Sequence, residues 1–444
     1  MLLVDVLGDS ATTVDFSPLV RLDNKSSVDH LSFCRRLCGA LPRLGQLTRL
    51  TLSTHGQRTA YPACSDAVLV EVARCCPELR FLDVGFNRGV SATGLNALCG
   101  GCPLIEELLV NDCVLPASVL VALLQRLPRL RVLGHQEVGT AVRLLWTGQT
   151  PTLRLVQVSN LGEASVHRSR PADEPHRLRC SVALIRVLRA LCPDLEELRV
   201  RVLDADVPHL AALRGLHTLE LRYHAAARPS SLAAHTVKYL SLHGARLTAL
   251  TVYSGSLSTR HAALIGQHCP NLTLLWLRCN QLVFSEEGGE EPSGRPAAQP
   301  FQRLESLSVR VGFDQTSVSR FPDAFLCGLV RHARALQKLY VAVNSPDVTD
   351  AWLARVLDAC ACESLRTLFV LLPQTNEAPT SPMGPRLALS PASVRAVRAR
   401  CPQLLELGNL LVWNFQQEEV RHLQQRLRAS NCVLRLVSKA TVWR

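Results

Sequence analysis

Apolar residues between Cys76 and Cys113 switch repeatedly between two periods. In CPELRFLDVGFN they fall at Leu79, Leu82 and Val84, and in CPLIEELLVNDC at Ile105, Leu108 and Val110; each set ends in a two-residue alternation that predicts a short strand. Between the strands Leu95, Leu98 and Cys99 recur at helical spacing behind Ser91, a residue type that caps helix N-termini. The stretch therefore predicts strand, turn and helix. Cys76, Leu79, Leu82, Val84 and Asn87 match Cys102, Ile105, Leu108, Val110 and Cys113 at a distance of 26 residues. The Asn or Cys that closes each strand is expected to turn inward and meet buried backbone groups as the chain bends away. One such unit can bury neither of its apolar faces alone, so copies of it must stack.

The spacing C-x-x-L-x-x-L-x-L-x-x-N/C is that of a leucine-rich repeat. Central residues at Leu50, Leu82, Leu108, Leu133, Val156, Leu198, Leu219, Leu240, Leu275, Leu307, Leu339, Leu368 and Leu407 mark thirteen strands, at intervals of 21 to 42 residues. One place is ambiguous, because Leu250 heads a second strand-like run only ten residues after Leu240. Helices with capping signals are predicted over 66–75, 116–127, 181–191, 258–268, 322–333, 349–359 and 390–400. The expected fold is an α/β leucine-rich-repeat solenoid, a horseshoe with parallel strands on its concave face and helices on its convex face. Residues 41–415 form the array. Residues 1–40 are an N-terminal cap or an incomplete first repeat, with a strand at LLVDV and a helix leading to Leu47. Residues 416–444, with a charged helix from Glu418 to Ala429 and the run VLRLV, close the other end. Polar insertions near 162–175, 285–300 and 373–385 have no apolar period and are expected to be flexible loops.

The formal charge of +12 raises nucleic acid and anionic membrane as partners, but only four of the 49 basic residues are Lys, and the arginines are scattered with no basic arm. A nucleic-acid role is therefore set aside. Six of the 17 cysteines (Cys76, Cys102, Cys192, Cys269, Cys362 and Cys401) stand first in the repeat, where a small buried hydrophobe suits the packing, so a disulfide framework is not expected. With no secretory leader and no apolar run near the ~18 residues of a membrane span, a reduced cytoplasmic or nuclear location is expected, with no membrane partner.

Candidate chemistry changes this picture little. Cys99-x-x-Cys102 with Cys75, Cys76 and Cys113 offers thiolates for zinc, but the repeat period already explains these residues, so neither metal nor cofactor is expected. There is no P-loop, HExxH, G-x-S-x-G or dinucleotide glycine fingerprint, and no acid or nucleophile recurs around His55, His135 or His243. The expectation is a binding module and not an enzyme.

CPELRFLDV, CPDLEELRV and CPNLTLLWL, with VSATGLNALCGGC and VTDAWLARVLDAC, resemble the cysteine-containing repeats of F-box/LRR proteins over about residues 28 to 415. That resemblance implies substrate recognition in an SCF-type ubiquitin ligase pathway. The family's F-box, a helical module that begins with Leu-Pro and docks the cullin-ligase adaptor, is not visible. Leu41-Pro42 runs straight into the strand at Leu50, so the adaptor is a partner only if an F-box lies upstream or has diverged. The alternative is a stand-alone adaptor or inhibitor unconnected with ubiquitin.

Because side chains alternate along a strand, residues flanking the strand leucines face the concavity. Early strands present small or polar groups there. Later ones present Arg199, Arg201, Arg222, Tyr239, Trp276, Arg278, Arg310, Lys338, Tyr340 and Phe369, a mixture typical of interface hot spots. These are the candidate partner-binding residues. Tyr239, Trp276 and Arg310, read as lying on adjoining strands, with Trp276 and Arg310 solvated, would suit an acidic or phosphorylated segment of a protein partner.

Overall fold

The computed structural model describes residues 11–16, 30–53, 64–146, 151–160, 181–223, 232–283, 300–312, 318–360, 362–373, 386–408, 410–429 and 432–437. The expected loops near 162–175, 285–300 and 373–385, the LLVDV strand and His55 fall almost wholly outside these residues. The chain divides into two compact units, one of Met1–Arg201 with Ala212–Leu216, the other of Val202–Ala211 with His217–Arg444.

In the first unit the strands are β1 (Thr13–Asp15), β2 (Arg49–Thr51), β3 (Phe81–Asp83), β4 (Glu107–Leu109), β5 (Val132–Gly134), β6 (Gln157–Asn160) and β7 (Glu197–Val202), each parallel to the next. Leu50, Leu82, Leu108 and Leu133 stand side by side in register, each at most 1% exposed. They meet helices that include α1 (His30–Ala40), α2 (Asp66–Cys75), α3 (Ala92–Gly101), α4 (Ala117–Arg126), α5 (Val138–Leu145) and α6 (Val182–Leu191), which pack successively against one another from α1 to α6. Each such buried leucine stabilises the stack by roughly 1.5–3 kcal/mol. One marker shifts. Val158, not Val156, aligns with Leu198; of these two valines Val158 is the one completely buried, while Val156 is partly exposed. The shift is by two residues, so Gln157 and Ser159 keep their face.

The second unit carries β8 (Thr218–Tyr223), β9 (Ala249–Ser258), β10 (Leu274–Val283), β11 (Ser306–Val311), β12 (Lys338–Ala342), β13 (Thr367–Leu371), β14 (Glu406–Gly408) and β15 (Arg435–Val437), again all parallel in sequence order. Its α-helices are α7 (Ala234–His243), α8 (Thr259–His268), α9 (Asp323–Val330), α10 (Asp350–Ala359), α11 (Pro391–Arg400) and α12 (Gln417–Ala429). Here the expectation at Leu240 is overturned. Leu240 lies in α7, where Thr236, Tyr239 and Leu240 are buried at helical spacing while Leu242 is 68% exposed. The alternation seen in KYLSL is accidental, and the strand is the later run from Ala249.

Polar side chains tie each repeat to its neighbour. Phe86 and Asp112 adopt left-handed backbone, with φ of 66° and 55°, at equivalent positions just before Asn87 and Cys113. The following side chain turns inward as expected. Asn87 Nδ2 donates to the carbonyls of Leu52 (3.1 Å) and Val84 (2.9 Å), and its Oδ1 accepts from the Cys64 amide at 2.9 Å. One repeat later the Cys113 thiol donates to the Val84 carbonyl at 3.4 Å. Cys76 and Cys102 are C-caps of α2 and α3, and the Cys102 thiol reaches back to the Cys76 carbonyl at 3.3 Å. Burial pushes the thiols of Cys76, Cys102, Cys192 and Cys269 up to about 12, so they serve as small neutral core groups.

Candidate functional site

The strand face turned away from the helices is the open face, and in the second unit register places its side chains in two rows. One row runs Glu220, Thr251, Trp276, Ser308, Tyr340, Phe369 and Gly408 across β8 to β14. The other runs Arg222, Tyr253, Arg278, Arg310, Ala342 and Leu371 across β8 to β13. The leucines and valines between them enter the core. Neighbours within a row lie about 4.8 Å apart, and the rows are about 6.7 Å apart along the strand.

Tyr253 is the centre of the cationic end. The Arg222 guanidinium lies 4.4 Å and that of Arg278 5.4 Å from its ring centroid, so a single ring carries two cations. Arg222 is also held by Glu220, Nε to Oε1 at 2.5 Å, with both side chains largely covered. Arg278 and Arg310 are register partners, and both are half-buried. Burial, together with the neighbouring Arg278, brings Arg310 down to about 10; burial lowers Arg278 as well, with Arg222 adding to it. Arg310 remains a cation at neutral pH. Trp276, also half-buried, has its indole Nε1 shielded from solvent with no hydrogen-bond partner among the described residues.

Toward β13 the open face becomes apolar. Tyr340 stacks on Phe369 with centroids 5.5 Å apart, and Phe369, Ala342 and Leu371 form a buried cluster against Tyr340, Val412 and Val437. The Phe369 ring occupies the space above Gly408, where a Cβ would come within 2.8 Å of it. Phe369 is thus on the expected face but only 8% exposed. Lys338 opens β12, exposed, between Ser306 and Thr367.

The structure therefore gathers Arg222, Trp276, Arg278, Arg310, Lys338, Tyr340 and Phe369 on one sheet face. Arg199 and Arg201 lie on β7 of the first unit, Arg199 paired with Glu197 at 2.6 Å. Tyr239 is corrected outright: it sits in α7, 2% exposed, its hydroxyl accepting from Arg246 at 3.3 Å. The solvated state expected of Trp276 and Arg310 is likewise corrected, since each is half-buried. The residue missed is Tyr253. Its signal was present, because with Leu250 and Val252 inward, position 253 must face outward; reading the strand at Leu240 concealed it.

Other candidate chemistry resolves into packing. His135 is buried, its Nδ1 accepting from the Glu137 amide at 3.1 Å and its Nε2 facing the Cys113 carbonyl at 3.2 Å, which makes Nε2 the protonated nitrogen. Among the described residues no three His, Cys, Asp or Glu side chains converge to hold a metal ion.

No protein-family model matches the chain. Over 51 residues, 12% of its length, it is 41% identical to the Putative F-box/LRR-repeat protein 9 of Arabidopsis thaliana, of which it spans 20%. A chain in the crystal structure of the yeast Rad7 and Elc1 complex shares its fold, with a TM-score of 0.52 and 14% identity over 91% of this chain and 85% of that one. The chain is an α/β leucine-rich-repeat protein. Over those 51 residues its repeats are similar to those of an F-box/LRR-repeat protein.

Proposed function

We propose that this protein is a recognition module that holds a protein partner on the open face of β8 to β13. The observation that carries this is the pair of in-register rows, in which arginines and aromatic rings stand on adjacent strands while every intervening aliphatic residue is buried. Partly covered Arg and Trp side chains pre-arranged on a rigid sheet lose little freedom on binding, which is what makes such residues hot spots. Trp276, Arg278, Arg310, Arg222, Tyr340 and Lys338 are the contact residues of this reading, with Phe369 as the support beneath Tyr340. Arg199 and Arg201, on β7 of the first unit, are separate candidate contacts of that unit. The module works by binding and not by catalysis.

The pathway we favour is substrate recognition for an SCF-type ubiquitin ligase. The 51-residue similarity to an F-box/LRR-repeat protein and the likeness to a chain of the Rad7 and Elc1 complex support it. The second reading is a stand-alone adaptor or inhibitor, and one observation favours it: Leu41-Pro42 lies in a short 3-10 turn, Leu41–Arg43, that enters β2 as part of a repeat and not as an F-box helix. A reduced compartment, cytoplasmic or nuclear, suits both. All cysteines among the described residues are free thiols, and no helix there is long and apolar enough to cross a membrane.

Affinity purification from cells tests the reading. Wild-type protein should recover a defined partner, and Trp276→Ala with Arg310→Ala should lose most of it while still folding, with a cooperative thermal transition and an unchanged circular-dichroism spectrum. Co-purification of the cullin-ligase adaptor selects the first pathway over the second. A well-folded double variant that keeps the same partners sinks the open-face assignment.

A further inference from the structure

At one place the repeat pattern brings thiols into contact with each other. In the regular units the cysteine that opens C-x-x-L is itself the C-cap of the preceding helix, as Cys76, Cys102, Cys192, Cys269 and Cys401 are for α2, α3, α6, α8 and α11. The repeat that leads into β13 departs from this. There α10 is capped by Cys360, whose amide donates to the Val356 and Leu357 carbonyls, and the cysteine of C-x-x-L follows two residues later as Cys362, opening the 3-10 turn Cys362–Ser364. The offset adds a thiol. Cys362 stands between two others, its sulfur in hydrogen-bonding contact with those of Cys360 and Cys401. Its amide is fixed on the Cys360 carbonyl at 2.9 Å, and that of Cys401 on the Val397 carbonyl at 2.8 Å, so adjoining repeats hold the sulfurs together. Elsewhere the same repeat position behaves differently. The Cys76 and Cys102 thiols donate to the backbone carbonyls of Leu44, at 3.7 Å, and Cys76, at 3.3 Å, and burial pushes both up to about 12. At Cys362 the hydrogen bonds from the Cys360 and Cys401 thiols, with help from the Arg400 guanidinium, outweigh burial and lower the thiol, while its two partners are raised. One sulfur of the three is thus the nucleophile, and the others keep their protons.

We propose that Cys362 and Cys401 form an oxidant-sensitive dithiol, a modification site that hydrogen peroxide closes into a disulfide joining two adjoining repeats. The Cys362 thiolate attacks one peroxide oxygen and the O–O bond breaks, so Cys362 becomes a sulfenic acid and the departing hydroxide leaves as water with the proton Cys362 gave up. The Cys401 sulfur then attacks the Cys362 sulfur. The S–O bond breaks, and the hydroxyl leaves with the Cys401 proton as a second water. Two thiols are oxidised and one peroxide is reduced to two waters. Cys401 is the partner because a bond between Cys360 and Cys362 would close a small strained ring, whereas Cys362 and Cys401 come from separate segments that stack. Cys360 has another part. It is partly exposed, so the cluster reaches the surface there, while Cys362 and Cys401 are 5% and 3% exposed, and its hydrogen bond helps to hold Cys362 as the anion. In a reducing compartment the bond would be transient, made in a pulse of oxidant and removed by thiol exchange.

The test uses the full chain, fully reduced, then exposed to hydrogen peroxide for increasing times, its remaining thiols alkylated, and its peptides mapped by mass spectrometry without reduction. A linked Cys362–Cys401 peptide should form about tenfold or more faster than any Cys76–Cys102 peptide, the pair at the same repeat positions, and dithiothreitol should remove it. Cys401→Ser should lose the link and leave Cys362 as a sulfenic acid that dimedone traps. Cys362→Ser should lose both products. Should either variant fail to fold, the wild-type time course decides by itself. The proposal is overturned if Cys362 is still a free thiol after the partly exposed Cys327 and Cys432 have been oxidised, if Cys76 and Cys102 link at the same rate, or if Cys362 links to Cys360 instead.

Discussion

Asn87 shows how one side chain can fix a repeat. It is completely buried, and its amide bonds four backbone groups on three segments, at Leu52, at Val84 and Gly85, and at Cys64. Asn87→Ala would leave those groups unsatisfied in the interior, so we expect a loss of about 2–4 kcal/mol in denaturant unfolding. A variant as stable as wild type would show that the inward turn at Phe86 is held by other contacts. The inward direction was legible in the sequence, because polar Asn and weakly polar Cys alternate at one repeat position. The left-handed backbone of Phe86 and Asp112 was not, since neither is a residue type that announces positive φ as glycine does.

Helices and strands followed the apolar period closely wherever one period was unambiguous. The seven helices expected from capping signals all form, and α2 spans Asp66–Cys75 as read. Failure came at Leu240, where helical and strand periods coincide over a few residues and only packing decides. At Leu108 there is no such ambiguity. It is completely buried with Leu82 and Leu133 on either side, so Leu108→Asp places an uncompensated charge in the core and should cost several kcal/mol, read as a lowered thermal midpoint.

The elements are also joined by a device that single-sequence reading does not expose, a carboxylate in one helix that caps the next. Asp66 at the start of α2 accepts from the Ser91 amide at 2.8 Å, and Asp350 at the start of α10 accepts from the Ser390 amide at 2.8 Å and from the hydroxyls of Ser390 and Ser393. Burial alone would raise the Asp350 carboxyl, but these hydrogen bonds outweigh it and hold it below the ordinary aspartate value. A folded pKa below the unfolded value near 3.9 stabilises the fold above that pH, and the contribution is lost as pH falls through the folded value. Asp350→Asn should therefore lower stability at neutral pH and flatten its decline below about pH 4. An acid limb identical to that of wild type would remove Asp350 from this role.

At the scale of the molecule, the sequence told more about which side chains share a sheet face than about what that face meets. Strand parity placed Trp276, Arg278, Arg310 and Tyr340 on one face correctly, because alternation about a buried leucine is a strong constraint. Exposure was harder to read. Whether an outward side chain is open or covered depends on neighbours a strand or more away, as Tyr340 and Val437 cover Phe369. The pairing of Arg222 and Arg278 on Tyr253 likewise depends on register between strands that lie 25 residues or more apart in sequence.

The central claim is that this face, and not the helical one, meets the partner. A photoreactive amino acid placed at Ser308, between Trp276 and Tyr340 in the row, tests it beside one placed at Arg398, exposed on α11. After irradiation in cells, the account predicts a discrete cross-linked partner from position 308 that disappears when Arg310→Ala is added, and none from position 398. Cross-links to that partner from position 398 alone would contradict it.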